Sequence, residues 1–130
     1  MGIAGLDALD QQMELRRDLR HRYMWNLQDT NGIKVLDTDP DSACWLMTVL
    51  VERREDLRRK LKDAGIESDQ VHYRNDRYSI FREFAPDPRI VRGHFPNMDE
   101  VESKYLCIPL HMHMSVGDVT RVCDVIKSGW

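Results

Sequence analysis

The sequence predicts a two-layer α/β domain, a small, mostly antiparallel sheet of three strands packed with helices. Two observations carry this. Segments with a helical period alternate with apolar runs too short for helices, in the order helix, strand, helix, strand, long loop, strand, helix, which is the order of a sheet with helices laid on it. The 130 residues, 42% hydrophobic and 32% charged, make one domain able to bury one core, with no repeat or low-complexity tract to divide it.

The first element is a helix over residues 4–28. Leu6, Leu9 and Met13 fall at helical spacing, and Leu15, Leu19, Tyr23 and Leu27 continue at steps of four. Gln11, Gln12, Arg16, Arg17 and Arg20 occupy the rest of its surface. Asn31-Gly32 and the run Asp37-Thr-Asp-Pro-Asp-Ser42 break it with turn chemistry. Ala43–Val51 is apolar, short and rich in aromatic and β-branched residues, so it predicts a strand covered on both faces.

Arg54–Ala64 predicts a helix with Leu57, Leu61 and Ala64 as its apolar stripe and Gly65 just past its end. Ile66–Tyr73 alternates loosely and predicts the second strand. Arg74 to Glu102 has no clean period. It holds Pro86, Pro88, Gly93 and Pro96 with scattered aromatics, and a loop of that length in a compact domain is usually functional. Tyr105–Leu110 predicts the third strand. Ser115 and Asp118 have the spacing of a capping box for a last helix, whose buried face is Val116, Val119, Val122, Cys123 and Ile126 and which Gly129 ends.

Composition excludes several classes of partner. A net charge of -3 leaves no electrostatic footprint for nucleic acid or an anionic membrane. The basic run Arg53, Arg54, Arg58, Arg59, Lys60 and Lys62 is interleaved with Glu52, Glu55, Asp56 and Asp63, the pattern of a solvated helix face. No apolar run is long enough to span a membrane, and the first residues lack a basic region followed by an apolar one. Cys44 and Cys107 sit inside apolar runs and read as small buried hydrophobes in a reducing compartment. These features place the chain in the cytoplasm.

Two clusters carry candidate chemistry. His111-Met-His113 puts two imidazoles on one face of an extended segment. Two ligands do not specify a metal, and a third would have to come from His72, His94 or a distant carboxylate. The plainer reading is a strand end with hydrogen-bonded histidines. His72-Tyr-Arg-Asn-Asp-Arg77 is the densest polar cluster, at a predicted strand exit. Arg suits phosphate, and Asn and Asp suit sugar hydroxyls. The alternative is a turn satisfied by its own Arg–Asp pairs. Nucleophile motifs, a P-loop and a glycine-rich dinucleotide fingerprint are all missing from the sequence. Trp25, Trp45 and Trp130 read as core or edge packing, and Met112 and Met114 as packing around the third strand.

Taken in order, these segments resemble the small domain of the DegT/DnrJ/StrS aminotransferases. Ala43-Cys-Trp-Leu-Met-Thr-Val-Leu-Val51 and the following Arg54–Ile66 are similar to that family's "W-L-aromatic" strand and its helix ending in "K-x-x-G-I". Gln70-Val-His-Tyr73 stands where the family has "G-I-H-Y-P". Tyr105-Leu-Cys-Ile-Pro-Leu-His-Met-His-Met-Ser115 resembles "L-S-L-P-M-H-P-x-L-S", and Asp118-Val-Thr-Arg-Val-Cys-Asp-Val-Ile126 resembles the helix after it. Arg16, Arg17 and Tyr23 resemble the pattern of the helix that links large and small domains.

The resemblance implies the small domain of a fold-type I aminotransferase, with residues 4–28 as the linking helix and 43–130 as the α/β unit. It implies a family reaction in which pyridoxal phosphate (PLP), held by a lysine of the large domain, moves an amino group from glutamate to a nucleotide-linked keto-sugar. No segment here matches that lysine loop, so this chain alone is expected to hold no cofactor and to be inactive. Carried over by position, His72, Tyr73, Arg74, Asn75 and His111 are the substrate-binding residues. Arg-Asn-Asp-Arg replaces the family's Pro after "H-Y", which gives a more polar wall. The implied partners are a large-domain aminotransferase chain and a nucleotide sugar, and apolar surface on the first helix points to a homo-oligomer. The competing readings are a stand-alone, non-catalytic binding module on the same fold and a small metal protein built on His111 and His113.

Overall fold

The structure, a computed structural model, describes residues 5–37, 39, 41–80 and 95–130. It consists of helix α1 (Leu9–Leu27), strand β1 (Ile33–Val35), strand β2 (Met47–Val51), helix α2 (Arg54–Asp63), a 3-10 turn (Asn75–Arg77), helix α3 (Pro96–Val101), strand β3 (Tyr105–Ile108) and helix α4 (Val116–Lys127). The strands form one antiparallel sheet in the order β1-β2-β3. β2 is central, with Val49 opposite Val35 on one side and Leu106 on the other.

The core lies between the sheet and the helices. Met47, Val49 and Val51 alternate with half-buried Thr48 and Leu50, so one face of β2 is fully inside. Against it pack Leu57 and Leu61 of α2, Val119, Val122, Cys123 and Ile126 of α4, and Leu19, Tyr23 and Leu27 of α1. Burial pushes the Cys123 thiol up to about 11 and raises the Tyr23 phenol as well, so both are neutral packing groups. Helix ends close as the residue types require. Gly65 takes φ 70 just past α2, a conformation without penalty only for glycine. Ser115 caps α4 in a capping box with Asp118. Lys60 of α2 donates to Ser128 Oγ and to the Gly129 carbonyl, tying α2 to the end of α4.

The structure corrects the strand assignment. The segment 66–73 forms no strand; it touches the sheet through a single bridge, Asp69 with Cys107. Its middle, Glu67-Ser-Asp-Gln70, has no apolar side chain to bury, so only Ile66 is drawn into the core. The third strand is instead Ile33–Val35, in a stretch that reads as turn. It is only three residues long, and the Asn31-Gly32 turn masks it, Gly32 having φ 77 and lying under the Trp130 ring. β2 starts at Met47 rather than Ala43, because Cys44 adopts φ 47, outside the extended region. β3 stops at Ile108, since Pro109 has no amide to donate. A short helix with Pro96 in its first turn replaces part of the expected loop. Residues 81–94 of that loop, with Phe81, Phe84, Pro86, Pro88 and Gly93, lie outside the described residues, as do residues 1–4.

Several packing assignments also change. Trp25 and Trp45 are 75% and 61% exposed, and Met112, Val116, Leu6 and Leu9 also reach solvent, whereas Met114 is in the core. No helix among the described residues is long and apolar enough to cross a membrane.

Leu106 is fully buried opposite the central strand. Its replacement by Ala is expected to cost about 2–5 kcal/mol of stability, read as a lowered midpoint in urea unfolding at unchanged slope.

Candidate functional site

The β3 exit, the connection after α2 and the first turn of α4 enclose a groove of about 540 Å³. Each wall follows from local chemistry. Pro109 ends the strand, so the chain turns outward and carries His111 and His113 to the rim. The bridge between Asp69 and Cys107 brings the 65–71 connection alongside β3. The capping box fixes the start of α4, which presents Asp118 and Arg121 to the groove. Leu46 and Val71 complete its apolar side.

His111, Asp118 and Arg121 give the groove its polarity. His111 Nδ1 accepts from the His113 amide at 3.3 Å, so Nε2 is the ring nitrogen left for another partner. The Asp118 carboxyl is held below its ordinary range by the Ser115 amide and hydroxyl, with Arg121 and His111 adding to the effect, so it stays a carboxylate. The Arg121 guanidinium donates to the Ala64 carbonyl at 2.7 Å, which anchors it across the groove. An anionic acceptor, a cation and an imidazole around one apolar wall can bind and orient a hydroxylated ligand.

The 72–75 segment lies beside this groove. Val71 lines it, while the His72 ring turns to Trp45, centroid to centroid 5.5 Å. Tyr73 is half exposed, with the Arg77 guanidinium 4.8 Å from its ring centre and 5.7 Å from that of Tyr78. Asn75 is exposed and opens the 3-10 turn, its carbonyl accepting from the Tyr78 amide. Arg74 differs from its neighbours. It is 5% exposed and pairs with Asp99 and with Glu102, the latter at 3.5 Å. Arg54 reaches the same turn from the other side, donating to the Glu102 carbonyl at 2.8 Å and to Gln70 Oε1 at 3.0 Å. Two arginines thus hold the polar segment against the α3–β3 turn, so Arg74 acts here by positioning its neighbours.

His111 and the 72–75 segment come to one end of the sheet, joined by the groove wall. In the sequence Asp118 reads as a helix cap and Trp45 as packing, and Arg121 carries no assignment of its own. The capping-box spacing and the helix motif both mark Asp118, neither as a binding group. His111 and His113, ring centroids 6.2 Å apart, gather no third metal ligand among the described residues, and His94 lies outside them. None of the five lysines lines the groove. Lys34, Lys62 and Lys127 are exposed, Lys60 is engaged at the end of α4, and Lys104 faces Glu100 at 3.8 Å.

Residues 1–127 match the DegT/DnrJ/EryC1/StrS aminotransferase family. Over 126 residues the chain is 30% identical to the erythromycin biosynthesis sensory transduction protein EryC1 of Saccharopolyspora erythraea, covering 95% of this chain and 34% of that protein. The matched region is the carboxy-terminal part of that relative. The fold superposes on the sugar aminotransferase CalS13 of Micromonospora echinospora with a TM-score of 0.87 at 27% identity, over 99% of this chain and 34% of that one. AtS13 of Actinomadura melliaura gives a TM-score of 0.87 at 28% identity, over 99% and 33%. The chain spans about a third of the length of the relatives it matches.

Two outcomes follow from the geometry. Arg74→Met removes the buried cation that pairs with Asp99 and Glu102, and is expected to cost about 3 kcal/mol in chemical unfolding. Arg74→Lys should recover only part of that, because the compact, strongly hydrated ammonium is costlier to bury than the weakly hydrated guanidinium. Asp118 has a folded pKa below its unfolded one. Its contribution to stability is therefore present above the unfolded value and lost as pH falls through the folded one. The stability gap between the wild type and Asp118→Asn should be constant above about pH 4 and close below it in thermal melts at stepped pH.

Proposed function

The chain belongs to the DegT/DnrJ/EryC1/StrS aminotransferase family, and on that premise we propose that it is the substrate-side portion of a sugar aminotransferase. It would supply one wall of the pocket for a nucleotide-linked keto-sugar and act together with a PLP-bearing large domain. The observation that carries this reading is the coverage: the match takes in nearly all of this chain and only a third of each relative.

The family is PLP-dependent, and the residues of this chain do not fit that cofactor. A PLP site needs a lysine inside a cavity with donors for a phosphate. Here every lysine is on the surface or engaged at a helix end, and the groove contains none. What the groove offers is recognition. His111 Nε2 and Asp118 can hold sugar hydroxyls, Arg121 offers a cation, and Asn75 and Tyr73 add polar groups beside it, with His72 on the rim. Arg74 keeps that segment in place. This assignment extends the residues carried over from the family motifs by Asp118 and Arg121.

The exposed Leu6, Leu9 and Trp25 on and before α1 offer apolar surface for association with a large domain or a second copy. The three cysteines are free and buried, which fits a reducing, cytoplasmic setting.

The purified chain is expected to co-purify with a larger PLP-binding chain. With added PLP alone it should give no absorption band that depends on a lysine. A band abolished by replacing any one of Lys34, Lys60, Lys62, Lys104 or Lys127 would show that the cofactor site is in this chain and would contradict the reading.

A further inference from the structure

We propose that Trp45 and His72 form a ring-binding wall beside the groove, and that Trp45 selects the ligand by stacking on the apolar face of a sugar ring. This rests on the reading of the groove as a nucleotide-sugar site, and adds to it a specificity role for a residue that the strand motif includes without a binding role.

Three observations converge. Trp45 is 61% exposed, although it is flanked by buried Cys44 and half-buried Leu46 at the entry to the central strand. A large indole at a strand entry, with one flat apolar face and one N–H, is suited to contact with a ligand that is part apolar and part polar. Next, the backbone that places it there is unusual. Cys44 is the one non-glycine residue with positive φ among the described residues, at 47. Its amide donates to Ser42 Oγ at 3.3 Å and its thiol to the Ser42 carbonyl at 3.5 Å, and the side chain is buried. This turn sends Cys44 inward and Trp45 outward. Finally, the indole meets the His72 ring at a centroid distance of 5.5 Å with the planes 57° apart, so the two rings form an open angle. Their chain neighbours Leu46 and Val71 line the groove, and the two rings stand beside it without lining it.

The chemistry points to a sugar. A pyranose presents C–H groups on one face and hydroxyls around its rim. The indole offers a flat apolar surface for the first, and the imidazole offers a hydrogen-bond donor and acceptor for the second. Asp118 and Arg121 in the groove supply further partners for hydroxyls.

The indole N–H signals of Trp25, Trp45 and Trp130 in the nitrogen-labelled chain provide the test, with exposed Trp25 as internal control. Thymidine-diphosphate glucose is expected to move the Trp45 and His72 signals and leave Trp25 unchanged, while thymidine diphosphate alone leaves Trp45 in place. Trp45→Ala should weaken binding about 10-fold and Trp45→Phe less than about 3-fold, with unfolding temperatures unchanged because the side chain is mostly in solvent. Movement of His111 and Val71 with a silent Trp45 would leave the groove as the sugar site and overturn the wall. A Trp45 shift with thymidine diphosphate alone would mean the indole takes the base, and would also overturn it. No shift at His111, Val71 or Trp45 would remove the sugar site itself, and the wall with it.

Discussion

The alternation along β2 is the constraint on which the rest of the structure depends. It is the only strand of the sheet with neighbours on both sides, and Met47, Val49 and Val51 point into the core while Thr48 and Leu50 point away. A shift of one residue would expose all three core side chains at once. The register therefore holds β1 and β3 in place, and through them the helices that cover one face. Its consequences reach the site. Met47 opposite Ile108 puts the start of β2 beside the exit of β3, so Trp45 and Leu46 stand next to the turn that carries His111. The opposite face is more polar: Thr48, Tyr105 and Cys107 form a small cluster there, in which the Tyr105 hydroxyl lies 3.2 Å from the Cys107 sulfur. Burial, with that hydrogen bond second, pushes the Tyr105 phenol up to about 12.

Much of this was legible in the residues, for physical reasons that differ by element. Helices α2 and α4 announce themselves because each combines a periodic apolar stripe with a terminating glycine, and α4 has its capping box as well. The core half of α1 is readable for the same reason, whereas Leu6 and Leu9 continue the period without anything to bury against. The sheet was harder. Ile33–Val35 is too short to show a period, and its pairing with β2 is decided by contacts far along the chain. The 66–73 segment failed in the opposite direction: Ile66, Val71 and Tyr73 mimic alternation, but the polar residues between them leave one bridge instead of a ladder.

The candidate site was legible as a location and less so as a set of roles. The family motifs mark His72 to Asn75 and His111, and the fold brings both to one end of the sheet. They could not distinguish Arg74, buried against two carboxylates, from its solvent-facing neighbours. The strand and helix motifs include Trp45 and Asp118 but give neither a binding role, and they give none to Arg121; the places of all three depend on the cap of α4 and on the left-handed turn at Cys44. Among the described residues, polar side chains line one wall of the groove and no lysine enters it.

The most direct test is amino transfer from glutamate to a nucleotide-linked keto-sugar, measured with this chain alone, with a PLP-binding large-domain chain of the same family alone, and with the two mixed. The account predicts turnover in the mixture only, and its loss when His111 is replaced by Ala. Turnover by this chain alone, or a mixture no faster than the large-domain chain by itself, would contradict it.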